Sequence, residues 1–143
     1  MVIALFGNNC VGKSGIAKKL AEALDAQIYT GKDYLRLAKN ESEAEAVFRE
    51  LLAKTDGAVI YVISESRHLA LLPEQAVRVL VTAPLDTIKT RFAARMGGQL
   101  PIPVAQMLER RFGMFDTQRY DVHISENNAS EACTLILSAA RGK

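Results

Sequence analysis

Gly7-Asn8-Asn9-Cys10-Val11-Gly12-Lys13-Ser14 carries the residue types and spacing needed to hold a polyphosphate, matching G-x-x-x-x-G-K-[ST] at every required position. The chemistry asks for a turn whose backbone N–H groups converge on one anion. The two glycines permit the dihedrals and the close approach that a Cβ would block. Lys13 is placed to meet the β- and γ-phosphates as a point charge. Ser14 is placed to offer a hydroxyl to Mg²⁺, at the start of a helix whose unpaired N–H groups and dipole favour anions. A second set of candidates is cationic. Lys89, Arg91, Arg95, Arg110, Arg111 and Arg119 outnumber Asp86, Glu109 and Asp116 between residues 86 and 120, which makes that segment a candidate anion clamp.

Such groups act only if regular elements hold them in place. Val2-Ile3-Ala4-Leu5-Phe6 is a short apolar run suited to a strand buried on both faces, and Ile16, Leu20, Ala23 and Leu24 recur at helical spacing after the loop. Gln27-Ile28-Tyr29-Thr30 reads as a second strand, and Lys32 to Arg36 can start a helix with Asp33 near its N-terminus. Ser42-Glu43-Ala44-Glu45 has the capping-box pattern, followed by Val47, Phe48, Leu51 and Leu52 on one face.

Three more apolar runs follow: Ala58 to Ile63, Val77 to Thr82 and, more weakly, Asp121 to Ser125. Helical patterns between all five strands give an α/β fold, with a parallel sheet covered on both faces. Near residues 97 to 103 glycines and prolines break the helix that carries Arg91 and Arg95, two like charges four residues apart. In the helix that follows, Arg111 shares helical spacing with Val104, Met107 and Leu108 and is expected to point inward with them.

With 143 residues, 49% of them hydrophobic, the chain reads as one domain over residues 1–143. Its net charge of +2 is too small to argue for nucleic acid or a membrane surface as partner, and its basic residues lack interleaved stacking aromatics. No signal-peptide pattern and no run of 18 apolar residues is visible, so the expectation is a cytoplasmic protein. Cys10 sits at a helix N-terminus, where a thiolate is favoured, but reads first as a tolerated small side chain in a variable loop position. Cys133 reads as core.

The loop and the arginines together resemble the nucleoside monophosphate kinases, specifically the cytidylate-kinase-like and adenylate-kinase-like branch, across nearly the whole chain. Thr30-Gly31-Lys32-Asp33-Tyr34-Leu35-Arg36 is similar to that family's acceptor segment, with one residue more before the arginine than in some members. Arg91 and Arg95 are similar to the start of its ATP lid, and Arg110-Arg111 to the arginines returning from it. The resemblance implies a three-layer P-loop NTPase fold with a five-stranded parallel sheet, an acceptor segment at about 31–56 and a lid at about 91–111, both reduced. It implies ATP and Mg²⁺ as cofactors and a small-molecule acceptor, a nucleotide in that family's manner, at Thr30, Asp33, Arg36 and Arg67, with Lys13, Arg91, Arg95 and Arg111 on the transferred group. The loop Glu126-Asn127-Asn128 then lies near the ATP base. The chain departs from the family where the third strand should end in Asp-Gly-x-x-Arg. It has Ile63-Ser64-Glu65-Ser66-Arg67, which leaves Glu65 as the nearest carboxylate for metal contact.

The expected reaction is phosphoryl transfer from ATP to a nucleoside monophosphate. Two alternatives stand beside it: a small-metabolite kinase of the shikimate or dephospho-coenzyme A type, and a nucleotide-binding regulatory module with little turnover. Asp33 discriminates between the acceptors, since an ionised phosphate needs no base whereas a hydroxyl does.

Overall fold

The three central strands follow apolar runs closely, because burial on both faces leaves little room for polar side chains, while the two edge strands are partly exposed. In the computed structural model, which describes residues 1–143, these are β1 (Val2–Phe6), β2 (Gln27–Thr30), β3 (Val59–Ile63), β4 (Val77–Val81) and β5 (Val122–Ile124). They form one sheet in the order β2-β3-β1-β4-β5, with every neighbouring pair parallel. Phe6 pairs with Ile63 and with Leu80, so β1 lies at the centre with a strand on each side.

Alternation along the strands assigns side chains to two layers. Ile3, Leu5, Ile60, Val62, Val77, Val79 and Val81 face α1 (Lys13–Leu24) and α5 (Ala132–Arg141), packing on Ile16, Leu20 and Ile136. Val2, Ala4, Phe6, Tyr61 and Ile63 face the opposite side and meet Phe48 and Leu52 of α2 (Glu41–Lys54), with Tyr34 stacked on Phe48 at 5.5 Å. Each large side chain so buried contributes about 1.5–3 kcal/mol relative to exposure. The remaining helices, α3 (Leu85–Arg95) and α4 (Ile102–Arg111), form a pair joined through Gly97 and Gly98, whose φ values of 90° and 104° suit glycine. Lys89 of α3 and Glu109 of α4 are 2.6 Å apart across that pair.

Three local expectations are corrected. The N-cap of α2 is Asn40, whose side chain accepts from the Glu43 amide at 2.9 Å; Ser42 already lies inside the helix, so its capping-box pattern goes unused. The link from β3 to β4 is no helix of core length but a short 3₁₀ segment, Ser66–Leu71, and Asp33–Leu37 is likewise 3₁₀. Arg111 does not share the burial of Leu108: it is exposed at the last turn of α4 and faces the site cleft.

Candidate active site

In an open parallel sheet the carboxyl ends of the strands open into a crevice. Here each strand delivers a polar or small residue to that edge. The phosphate loop follows β1, Gly31 and Lys32 follow β2, Ser64 and Glu65 follow β3, Thr82 follows β4, and Ser125 and Glu126 follow β5. Gly7 opens the loop against β4. A Cβ there would come 2.2 Å from the Val81 carbonyl oxygen, so no larger residue fits without moving the strand. Cys10 and Gly12 both take positive φ, 64° and 105°, which turns the loop into α1. Cys10 is buried against the core, and Cys133 is half-buried beside it.

Lys13 is 5% exposed and folds back onto its own loop. Its ammonium donates to the carbonyls of Gly7, Asn8 (3.1 Å) and Ile63 (3.0 Å) and to Ser64 Oγ (2.9 Å). Burial pushes its pKa down to about 7, against 10.5 for an ordinary lysine. Between those values the unfolded chain holds a proton that the folded chain has released. The stability cost of this lysine is therefore full below pH 7 and relieved as pH rises toward 10.5. An arriving polyphosphate reverses the balance by favouring the ammonium. At pH 8, where free ATP is already fully ionised, its binding is expected to take up a fraction of a proton. Calorimetry in two buffers of different ionisation enthalpy measures this, and Lys13→Met should abolish the uptake. Uptake unchanged in that variant would place the titrating group elsewhere.

Two cavities flank the loop. One, of about 350 Å³, lies toward β4 and β5 and is lined by Gly12, Gly15, Lys19, Arg91, Arg95 and Glu126 among others. The other, of about 250 Å³, lies toward β2 and β3 and is lined by Asn9, Gly31, Lys32, Ser64, Glu65, His68 and Arg111. Lys13, bonded to Ser64, sits between them. The first has the backbone amides, the cations and the adjacent β5 loop expected of a nucleoside triphosphate site. The second has no hydrophobic wall at all.

The sequence-predicted residues divide accordingly. Asn9 and Arg111 reach the smaller cavity, while Cys10, Val11, Gly12, Arg91 and Arg95 line the larger. Arg91 Nη1 donates to the Cys10 carbonyl at 2.9 Å and so braces the loop, which offsets its repulsion with Arg95. Asn8 ties the loop to the end of α4 by donating to the Phe112 carbonyl at 2.8 Å. Ser14 is exposed at the start of α1.

Thr30, Asp33 and Arg36 cluster at the end of β2. The Thr30 amide donates to Asp33 Oδ2 at 2.9 Å, and Arg36 Nε donates to the Asp33 carbonyl at 3.2 Å. They lie just outside the polar cavity's walls, next to Lys32, and Arg67 also lies off it. Glu65 is held by Arg67 at 2.8 Å, and that hydrogen bond keeps its carboxyl below the ordinary value. It is a fixed anion in the wall of the smaller cavity.

Of the clamp segment, Lys89 and Arg119 are paired with Glu109 and Glu74, while Arg95, Arg110 and Arg111 have no ion pair. No group of three or more His, Cys, Asp or Glu gathers anywhere in the chain. A Mg²⁺ ion carried by phosphate oxygens needs only one or two protein ligands, for which Ser14 and Glu65 are the candidates.

Motif reading missed Ser64 and His68. Register could have found Ser64: Phe6 pairs with Ile63, so the next residue of β3 must lie beside Gly7. His68 is 4% exposed, and neither ring nitrogen has a hydrogen-bond partner. Burial, then Arg67, lowers its pKa. It stands ready as an unspent donor or acceptor at the cavity wall.

No protein-family model matches this chain, and no curated protein sequence does. Solved structures do. A gluconokinase from Sinorhizobium meliloti 1021 has a TM-score of 0.66 at 16% identity, over 99% of this chain and 94% of that one. A shikimate kinase from Acinetobacter baumannii, in complex with shikimate, has a TM-score of 0.66 at 18% identity, over 96% and 93%. The YorR protein from Bacillus subtilis, in complex with phosphorylated GDP, has a TM-score of 0.63 at 20% identity, over 99% and 96%. The shared property is the P-loop kinase fold, with its all-parallel five-stranded sheet and helices on both faces.

Proposed function

We propose that the chain transfers the γ-phosphoryl group of ATP to a hydroxyl of a small, anionic, hydroxyl-rich metabolite. The observation that carries this reading is the smaller cavity, whose seven lining residues include no hydrophobic one. A nucleobase needs an apolar or aromatic face to stack on, and the one ring in this wall, His68, is 4% exposed. Lys32 and Arg111 suit an acid group, while Asn9, Ser64, Glu65 and His68 suit hydroxyls. Kinship of fold with a gluconokinase and a shikimate kinase supports a small-metabolite acceptor at least as well as the YorR protein, in complex with phosphorylated GDP, supports a nucleotide.

Phosphoryl transfer asks the protein chiefly for alignment and charge compensation. The loop amides and Gly12 hold the donor's phosphates, Lys13 meets the β- and γ-oxygens, and Arg91, Arg95 and Arg111 complete the cationic surround. Mg²⁺, held through Ser14, would supply neutralisation of the β- and γ-phosphates when bound. The acceptor oxygen forms its bond to γ-phosphorus as the bond to the β-phosphate breaks. Asp33 receives the hydroxyl proton.

The test is a transfer assay with ATP and Mg²⁺ against matched panels of sugar acids, cyclic hydroxy acids and nucleoside monophosphates. Turnover is expected with a hydroxy acid and to be at least about tenfold slower with any nucleotide. Turnover with nucleoside monophosphates alone would restore the nucleotide reading. ATP binding without transfer to any acceptor would favour a regulatory module.

A further inference from the structure

Val77-Arg78-Val79-Leu80-Val81 places an arginine within a strand that is paired on both edges, where only apolar residues are expected. Alternation puts Arg78 on the Leu80 face, away from α1. There its Nε is shut off from solvent and has no hydrogen-bond partner. Burial lowers its pKa, and the neighbouring positive charge of Arg119 lowers it further. A buried guanidinium donor without an acceptor is costly and calls for an explanation.

Next to it opens a cavity of about 340 Å³ that shares no lining residue with the phosphate loop. It is lined by Arg67, Arg78 and Arg119 together with Ser66 and Gln118, and by no carboxylate. The acids nearby sit on its margins. Glu65 holds Arg67 from outside. Glu74 meets Arg119 at 3.0 Å, but the two side chains are 90% and 65% exposed, so the pair is solvent-screened and easily exchanged. Asp121 accepts from the Arg78 backbone amide at 2.8 Å and pairs with Lys143, leaving the guanidinium itself unserved.

We propose that this cavity is a second anion site, separate from the catalytic cleft, which takes a small phosphate-bearing ligand. Guanidinium groups offer paired donors in the geometry that phosphate oxygens accept, and Ser66 and Gln118 add neutral donors beside them. The volume accommodates a ligand of metabolite size. None of the cavity's residues belongs to the phosphate loop or to the smaller acceptor cavity, so the assignment stands whichever acceptor the enzyme uses.

The experiment titrates inorganic pyrophosphate, at low salt, into protein saturated with a non-hydrolysable ATP analogue that blocks the loop. One site is expected in the native sequence. Arg78→Gln should weaken it by about tenfold or more, the scale of a lost charge-assisted hydrogen bond. Arg119→Gln, a substitution at an exposed position that leaves the fold intact, should weaken it at least about threefold. Absence of binding in the native sequence, or affinities unchanged in the Arg119 variant and in a folded Arg78 variant, would overturn the proposal.

Discussion

Lys13→Ala is expected to lower turnover by about 10²–10³ or more while the chain stays folded. Removal of one preorganised donor from a developing anion costs on that scale. The loop amides still hold the ground-state phosphates, so the loss should fall on kcat more than on ATP affinity. Stability should change little, because two terms oppose. The variant escapes the desolvation that pushes this ammonium down to about 7, but it leaves the carbonyls of Gly7, Asn8 and Ile63 without their shared donor. Steady-state kinetics and thermal melting of Lys13→Ala beside Lys13→Met, which keeps most of the apolar stem, measure both. Unaltered turnover would dismiss phosphoryl transfer at this loop. Cooperative unfolding lost in the alanine variant alone would show that the stem is structural.

Asp33→Asn should cost about a hundredfold or more in turnover with a hydroxyl acceptor, the usual scale for removing a general base. The substitution is a clean one, since the asparagine carbonyl can still accept from the Thr30 amide that Asp33 Oδ2 now serves, and the turn after β2 survives. Arg36→Ala leaves that chemistry in place and is expected to raise the acceptor's Michaelis constant instead. The decisive comparison is the kcat of Asp33→Asn measured with the best acceptor of the panel. A loss smaller than about tenfold means that Asp33 does not take the proton; the same small loss in Glu65→Gln and His68→Gln would then point to an acceptor oxygen that arrives already ionised, a phosphate in place of a hydroxyl.

The sheet and the phosphate loop were legible because each rests on a short, contiguous signal. Five apolar runs became five strands, and G-x-x-x-x-G-K-[ST] lies where the chain leaves β1. What escaped depends on partners far along the chain. Ser64 acquires its role from a lysine 51 residues away, and His68 acquires its burial from Tyr34 and Tyr61. The cap of α2 was misplaced by two residues because Asn40 and Ser42 both present a short polar side chain ahead of the same apolar face. Helical spacing put Arg111 with Leu108, yet that rule sees only its own helix. α4 ends at Arg111, where the helix borders the crevice rather than the core.

The central position of β1 also bears on how such a protein can change. Ile3, Ala4, Leu5 and Phe6 have no solvent exposure and are bonded to a strand on either side, so the loop proposed to hold phosphate grows from the part of the chain least tolerant of alteration. One side of the proposed acceptor wall, Gly31 and Lys32, grows from the margin: β2 has one neighbour, and residues 31 to 56 join it to β3 over the sheet's outer edge. Replacement of that margin alters one side of the proposed acceptor wall and leaves β1 in place. A laboratory graft of residues 31 to 56 should therefore shift preference among acceptors, while Asn9, Ser64, Glu65, His68 and Arg111 hold the rest of the wall unchanged.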